Sequence, residues 1–205
     1  MMTPTARRWL GALSAIYLLI TTNTLQAQEC DEGDDPSPVV TLATSEGDIT
    51  LCLFHRKAPI TVENFLKYVE SGHYEGSIFH RVINGFMIQA GGFDERYEPL
   101  PSDSPIVNEA KKSKLHNVRG TIAMARTDDP DSATDQFFIN HRNNLRLDWA
   151  PGKAGYAVFG KVKDKLSMST VDFIATAPIK NRGGAFTDSP TKPVVINKVT
   201  WVNKP

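Results

Sequence analysis

Residues 79–93 constrain the fold of this chain most, because they alternate like a strand, turn, and alternate again. The turn falls at Asn84-Gly85, and both residue types tolerate the positive φ that tight turns demand. Among the apolar residues stands Arg81, whose permanent charge can polarise a bound carbonyl or amide without exchanging a proton. The stretch therefore predicts a β-hairpin that forms part of a catalytic groove.

The rest of the chain carries further short strand patterns and two helix patterns. Val62, Phe65, Leu66 and Val69 have the spacing of one helix face, in a helix that begins at Pro59 and ends near residue 72. A second helix is predicted over 165–176, and no regular element over the polar region 94–114. The remaining predicted strands are 39–42, 47–54, 120–125, 135–140, 156–162 and 193–202. Many hairpin strands with isolated helices favour a mainly β domain, a closed antiparallel barrel capped by two α-helices, over a sandwich.

The N-terminus differs in composition from the rest. A basic pair, Arg7-Arg8, precedes the apolar run 9–20, and a polar stretch ends in Leu25-Gln26-Ala27, which together indicate a secretory signal peptide over 1–27. An uncleaved anchor is disfavoured because a transmembrane helix needs roughly 20 apolar residues. The basic pair leaves a twin-arginine route open, with general secretion preferred. We expect an acidic linker over 28–38, a single domain over 39–205, no stable membrane insertion after processing, and a monomer.

Charge and cysteine content narrow the function and the compartment. The chain has 23 Lys plus Arg and 23 Asp plus Glu, so it has no net positive charge that would attract nucleic acid. We therefore exclude nucleic acid as a partner. Cys30 and Cys52 would enter an oxidising compartment together, where a disulfide is permitted but not dictated. The five histidines lack metal-ligand spacing, so we expect no metal and no cofactor. The sequence also lacks the Gly-x-Ser-x-Gly motif that presents a serine nucleophile in many hydrolases.

Three blocks in this order and spacing resemble the cyclophilin-type peptidyl-prolyl cis-trans isomerases, and most of all their bacterial branch. They are Phe-His-Arg-Val-Ile-Asn-Gly-Phe-Met-Ile-Gln at 79–89, Ile-Ala-Met-Ala-Arg at 122–126, and Ser-Ala-Thr-Asp-Gln-Phe-Phe-Ile at 132–139. The resemblance extends from about residue 39 to the C-terminus and includes the strand at 155–162. It implies an eight-stranded antiparallel barrel with a helix at each end, in agreement with the capped barrel predicted from the residue patterns.

The resemblance also implies a role for individual residues. Arg81 matches the family's catalytic arginine, and the backbone near Arg126 could hold a substrate carbonyl. Tyr156 stands where many members carry histidine. The residues that match the family's substrate groove are Phe86, Met87, Gln89, Ala125, Gln136, Phe138 and Leu147. The implied substrates are proline-containing segments of unfolded or folding proteins, and with a signal peptide the expected role is to assist the folding of exported proteins. The expected location is the periplasm, with full secretion as the second choice.

Strand alternation adds a geometric condition to this set. Met87 and Gln89 share a face, but Phe86 points to the other unless the chain bends at Asn84-Gly85. The same rule sends Phe137 to the interior and leaves its neighbours Gln136 and Phe138 on the groove side.

One alternative function remains open. The chain could be a periplasmic binding protein that grips proline segments without turnover, although a pure binder has little use for the charge of Arg81. Arg146 stands where many eukaryotic members have a tryptophan that helps to hold cyclosporin, so we expect weak cyclosporin binding with isomerase activity retained.

Overall fold

The computed structural model describes residues 37–204. The predicted signal peptide, all of the acidic linker before Ser37, and Cys30 lie outside the described residues. Cys52 is fully buried in a strand, and its disulfide with Cys30 stays a prediction. No helix in the described range is long and apolar enough to cross a membrane.

Eight antiparallel strands form one sheet, as the sequence predicted. The strands of the sheet are β1 (Val39–Thr44), β2 (Gly47–Leu53), β3 (Arg81–Ile83), β4 (Met87–Ala90), β5 (Thr121–Met124), β6 (Phe137–Asn140), β7 (Val158–Val162) and β10 (Ile196–Trp201). Their order is β10-β1-β2-β7-β5-β6-β4-β3. The two-residue strands β8 (Ile179–Lys180) and β9 (Ser189–Pro190) pair separately.

The prediction of a closed barrel is wrong, because the ladder is open between its edge strands β3 and β10 and the sheet forms a half-barrel. An irregular segment spans this gap instead, with the isolated bridge Ile78↔Val195 and a hydrogen bond from the Phe79 N–H to the Val194 carbonyl at 2.9 Å. Pro190 and Pro193 precede β10 and lack the N–H that a regular ladder requires. The edges are therefore bridged without a continuous strand pairing.

Two helices of three turns pack against the sheet where the sequence placed them. Helix α1 (Pro59–Glu70) begins with proline at its first turn and buries the predicted apolar face. Helix α3 (Lys165–Ala175) is capped by Asp164, whose side chain accepts a hydrogen bond from the Ser167 N–H. The prediction that residues 94–114 contain no regular element is wrong, because α2 (Ala110–Ser113) forms one short helical turn there.

The apolar residues divide into an interior core and a separate outer cluster. The interior core contains Phe65, Phe137 and Phe159, all fully buried, with Phe65 in contact with both other rings. The outer cluster consists of the buried residues Phe54, Met87, Ala123, Phe138 and Val158. Phe137 and Phe138 therefore lie on opposite sides of β6, as alternation predicted. The outer cluster forms the floor of the site described next.

Candidate active site

A cavity of about 120 Å³ opens on the outer cluster and brings together nine of the ten residues predicted for the site. Its lining is Arg81, Phe86, Met87, Gln89, Ala125, Arg126, Phe138, Leu147 and Tyr156. Pockets for drug-sized ligands occupy roughly 300–1,000 Å³, so this one has room only for a compact apolar group.

Arg81 reaches this cavity from β3, where it stands opposite Gln89 of β4 in the hairpin register. Cross-strand partners project from the same face, which places the guanidinium beside the Gln89 amide. The Arg81 side chain is 37% exposed, and its Nε lies 3.5 Å from Oδ2 of Asp188. This contact aligns the guanidinium while leaving its other N–H groups available to a ligand.

Gln136, the tenth predicted residue, contacts the site through Gln89. The Gln89 Nε2 donates a hydrogen bond to the Gln136 Oε1 at 3.0 Å. Gly92 lies against the same side chain: a Cβ built at this glycine would lie 2.5 Å from the Gln136 Nε2. The Gln136 side chain can therefore occupy this position only because residue 92 is a glycine.

The position of Phe86 is explained by the turn that precedes β4. Ile83 pairs with Met87, so the loop has three residues, and only Gly85 has a positive φ, of 68°. Asn84 does not need the left-handed conformation that the sequence pattern allowed it. Because Phe86 belongs to this loop and not to the strand, its ring packs on the outer cluster with Met87, and the required bend is present.

Hydrogen bonds from the segment after β6 hold this turn in place. The Phe86 carbonyl accepts from the His141 N–H at 2.9 Å and from the Asn144 Nδ2 at 2.8 Å. Asn144 is buried, and its Nδ2 also donates to the Asn140 Oδ1 at 2.7 Å. These contacts rigidify one wall of the cavity.

Two further arginines flank the cavity with their guanidinium groups on aromatic rings. The Arg126 Cζ lies 4.4 Å from the centre of the Tyr156 ring, and its Nε donates to the Gly155 carbonyl at 3.0 Å. The Arg146 Cζ lies 4.8 Å from the centre of the Phe86 ring. Such stacking is favourable and restricts the arginine side chain, so the cavity has a fixed positive charge on two sides.

His80, next to Arg81 in sequence, points away from the cavity, as alternation predicted. Its side chain is buried and packs edge-on against Phe93, with ring centres 4.8 Å apart. Burial lowers the pKa of His80 to about 4, so the imidazole is neutral at pH 7. It is a core residue and not an acid or base for the site.

A larger cavity of about 560 Å³ lies elsewhere, between residues 114–121 and β7, with Phe54, Leu115, Lys161 and Met168 in its wall. It contains none of the residues predicted for the site. We place the site at the smaller cavity because a guanidinium, an amide pair and an apolar floor converge there.

Sequence reasoning missed Asp188 and Asn144, which position Arg81 and Phe86. Neither belongs to a recognisable motif, and both meet their partners only through long-range folding. Asn144 stands four residues after the end of β6, and nothing in the sequence identified its partner. No group of three or more histidine, cysteine, aspartate or glutamate residues within 37–204 could hold a metal ion.

Comparison with known proteins agrees with this geometry. The family model described as "Cyclophilin type peptidyl-prolyl cis-trans isomerase/CLD" matches residues 39–201. The chain therefore belongs to the cyclophilin-type peptidyl-prolyl cis-trans isomerases, and it is an enzyme of that class.

Bacterial isomerases are among its relatives. Peptidyl-prolyl cis-trans isomerase A of Dickeya dadantii is 47% identical over 165 residues, which cover 80% of this chain and 85% of the relative. Peptidyl-prolyl cis-trans isomerase B of Escherichia coli K12 is also 47% identical over 165 residues, which cover 79% and 98% of the two chains.

Solved structures share the fold at lower identity. Cyclophilin AquaCyp293 from Hirschia baltica superposes with a TM-score of 0.66 at 22% identity, covering 83% of this chain and 76% of its own. A cyclophilin-type isomerase from Cryptosporidium parvum gives a TM-score of 0.64 at 24% identity, covering 82% and 99%. The structure of that protein has also been determined in the presence of the dipeptide Ala-Pro.

Proposed function

We propose that this isomerase assists the folding of exported proteins in the periplasm, as a monomer, by accelerating rotation about X–Pro bonds with Arg81 as the catalytic residue. The observation that carries the proposal is the position of the Arg81 guanidinium at the edge of a small apolar cavity. Proline-containing peptides are the substrates of cyclophilins, and a pyrrolidine ring is a compact apolar group of the kind that this cavity admits.

The chemistry follows from the electronic structure of the amide. Rotation about a peptide bond is opposed by about 18–20 kcal/mol because the nitrogen lone pair is delocalised into the carbonyl. X–Pro isomers consequently exchange over tens to hundreds of seconds, slowly enough to limit folding. A group that localises the lone pair on the nitrogen lowers this barrier, and no covalent bond needs to form or break.

Arg81 is suited to this task because its guanidinium is a charged hydrogen-bond donor with several N–H groups. As the bond twists, the nitrogen becomes pyramidal and accepts a hydrogen bond that the planar amide does not accept, so the interaction strengthens in the transition state. A thousandfold acceleration requires about 4 kcal/mol of such differential stabilisation. A charge-assisted hydrogen bond in a partly dry groove supplies a large part of it.

The other cavity residues hold the substrate while one side of the bond turns. Phe86, Met87, Phe138 and Leu147 would enclose the proline ring. The Gln89 amide and the backbone near Arg126 would fix the flanking carbonyls. The catalytic contribution is then orientation combined with preorganised electrostatics.

The N-terminal pattern supports export, and the bacterial relatives bear only on the choice of the periplasm over full secretion. The test is to express the full chain in a Gram-negative host, fractionate the cells and sequence the N-terminus of the purified protein. We expect a chain that begins after Ala27 and isomerase activity in the periplasmic fraction. An intact N-terminus in the cytosolic fraction would contradict the proposal.

A paired substitution separates the two export routes. Replacement of the basic pair, Arg7→Lys with Arg8→Lys, keeps the charge of the signal but removes the twin-arginine pattern. General secretion predicts unchanged export of this variant, whereas its retention in the cytosol would assign the twin-arginine route.

A further inference from the structure

A second cavity, of about 240 Å³, lies beside the cavity of about 120 Å³ at Arg81, which is proposed to hold the proline ring, and Phe86 lines both. Its lining is Gly85, Phe86, Arg142, Asn143, Asn144, Leu145 and Arg146. Two arginines and no carboxylate contribute to this wall. We propose that this second cavity is a subsite for an aspartate or glutamate side chain of the peptide whose proline occupies the first cavity, an inference that rests on the proposed function.

The two arginines of this subsite are available to a ligand. Arg81, Arg96 and Arg119 each lie within 4.0 Å of an aspartate. Arg142 and Arg146 are exposed, and within residues 37–204 neither has a carboxylate partner at that distance. Two guanidinium groups without carboxylate partners in one concave site produce a local positive potential, although the chain as a whole is neutral.

The subsite is also preorganised. Arg146 stacks on the Phe86 ring, with its Cζ 4.8 Å from the ring centre. The Asn144 Nδ2 donates a hydrogen bond to the Phe86 carbonyl, so the residue on which Arg146 stacks is itself held in place. Within residues 37–204 the Arg146 guanidinium donates no hydrogen bond, so its N–H groups are available to match the two oxygens of a carboxylate. Leu145, 51% exposed, offers an apolar contact to the methylene groups of the ligand.

Because Phe86 lines both cavities, one extended peptide can reach both of them. An extended chain advances about 3.3–3.6 Å per residue, so about three residues reach well beyond one aromatic ring. The acidic residue would therefore stand within about three positions of the proline. Since the arginines are solvent-accessible, we expect a gain in affinity of about threefold to tenfold, reduced by salt.

The experiment measures the dissociation constants of matched proline peptides for the full chain by NMR titration at low salt. Each peptide carries a single glutamate, glutamine or lysine at one of the three positions on either side of the proline. At one position at least, glutamate should bind about threefold to tenfold more tightly than glutamine, and lysine more weakly than glutamine. Equal binding of glutamate and glutamine at every position would overturn the proposal.

Charge reversal assigns the preference to the subsite. In the variant with Arg142→Glu and Arg146→Glu, the preferred residue should change from glutamate to lysine. The matched control is Arg96→Glu, which alters an exposed arginine that lines neither cavity and should leave the preference for glutamate intact. If the double variant does not fold, Arg142→Gln and Arg146→Gln should each reduce the ratio of the two affinities. A glutamate preference that survives these changes would contradict the proposal.

These measurements distinguish a failure of the subsite proposal from a failure of the proposed function. A glutamate preference in the dissociation constants, without acceleration of isomerisation for any peptide, would support the subsite and refute the proposed function. Acceleration of every peptide without a glutamate preference would refute the subsite alone.

Discussion

Gln89 donates a hydrogen bond from its side-chain amide to the Gln136 Oε1 at 3.0 Å, and this contact ties β4 to the residue just before β6. Both residues were predicted for the site from sequence, but only the folded chain places them in contact. Since Gln89 stands opposite Arg81, the Gln136 side chain indirectly orients the groups around the Arg81 guanidinium. The hydrogen bond between Gln89 and Gln136 therefore helps to position the side chains that line the groove.

The close approach of Gly92 to Gln136 leads to the first prediction. Gly92→Ala would place a Cβ 2.5 Å from the Gln136 Nε2 and force that side chain to move. We expect kcat/KM for a proline peptide to fall about threefold to tenfold, equivalent to about 0.7–1.4 kcal/mol, because a side-chain hydrogen bond in the groove is lost. Urea unfolding should change less than turnover, since the atoms nearest to the built Cβ are all in the Gln136 side chain, with its Cγ and Cδ 2.6 Å away, and none is a backbone atom.

A double-mutant cycle checks this mechanism. Gln136→Ala removes the group that the new methyl would displace, so Gly92→Ala should have almost no further effect in that background. Additive losses in the double variant would contradict the steric explanation.

The buried imidazole of His80 predicts a pH-dependent stability. Its pKa is about 4 in the folded protein against 6.5 as its ordinary value, so between these pH values the unfolded chain binds more protons. The free energy of unfolding should therefore decrease as pH falls from about 6.5 to about 4, by about 3 kcal/mol from this residue. Urea titrations at a series of pH values measure this slope.

His80→Leu tests the assignment because leucine cannot bind a proton. The variant should lose most of the slope between these pH values, whereas the control His116→Gln, at a side chain 54% exposed, should keep it. An unchanged slope in His80→Leu would assign the acid sensitivity to another group.

The third prediction concerns inhibitor sensitivity. Arg146 occupies the position where many eukaryotic cyclophilins have tryptophan, and it stacks on Phe86 at the mouth of the cavity. We expect cyclosporin to inhibit the wild-type enzyme weakly and Arg146→Trp to lower the inhibitory concentration by about fivefold or more, since a buried aromatic contact contributes about 1 kcal/mol or more to binding. Tight inhibition of the wild type would contradict this prediction.

The local parts of the fold were predictable, and the long-range parts were not. The hairpin around Asn84-Gly85 and the opposite orientations of Phe137 and Phe138 follow from turn chemistry and from a period of two, which are properties of neighbouring residues. Helix α2 has four residues, fewer than a periodic pattern needs to be recognised.

Closure of the sheet was wrongly predicted for a different reason. Whether the edge strands pair depends on how residues 76–79 meet residues 194–196, which no local pattern specifies. The pairing of Asp188 with Arg81 is equally non-local, and it was missed although Arg81 itself was identified. Sequence reasoning thus found the residues that line the site, but not the residues that hold them.

We propose that Arg81 accelerates bond rotation rather than merely holding the peptide. The most direct test compares Arg81→Ala and Arg81→Lys with wild type in one set of samples, measuring isomerisation rates of a proline peptide by NMR exchange and its dissociation constant by titration. We expect at least a tenfold loss of turnover in Arg81→Ala, about 1.4 kcal/mol or more, with affinity and folding nearly unchanged. Arg81→Lys should lose turnover only in part, because lysine keeps the charge but not the fork of donors. Unchanged turnover in Arg81→Ala, or an equal loss of binding and turnover, would contradict a catalytic role for Arg81.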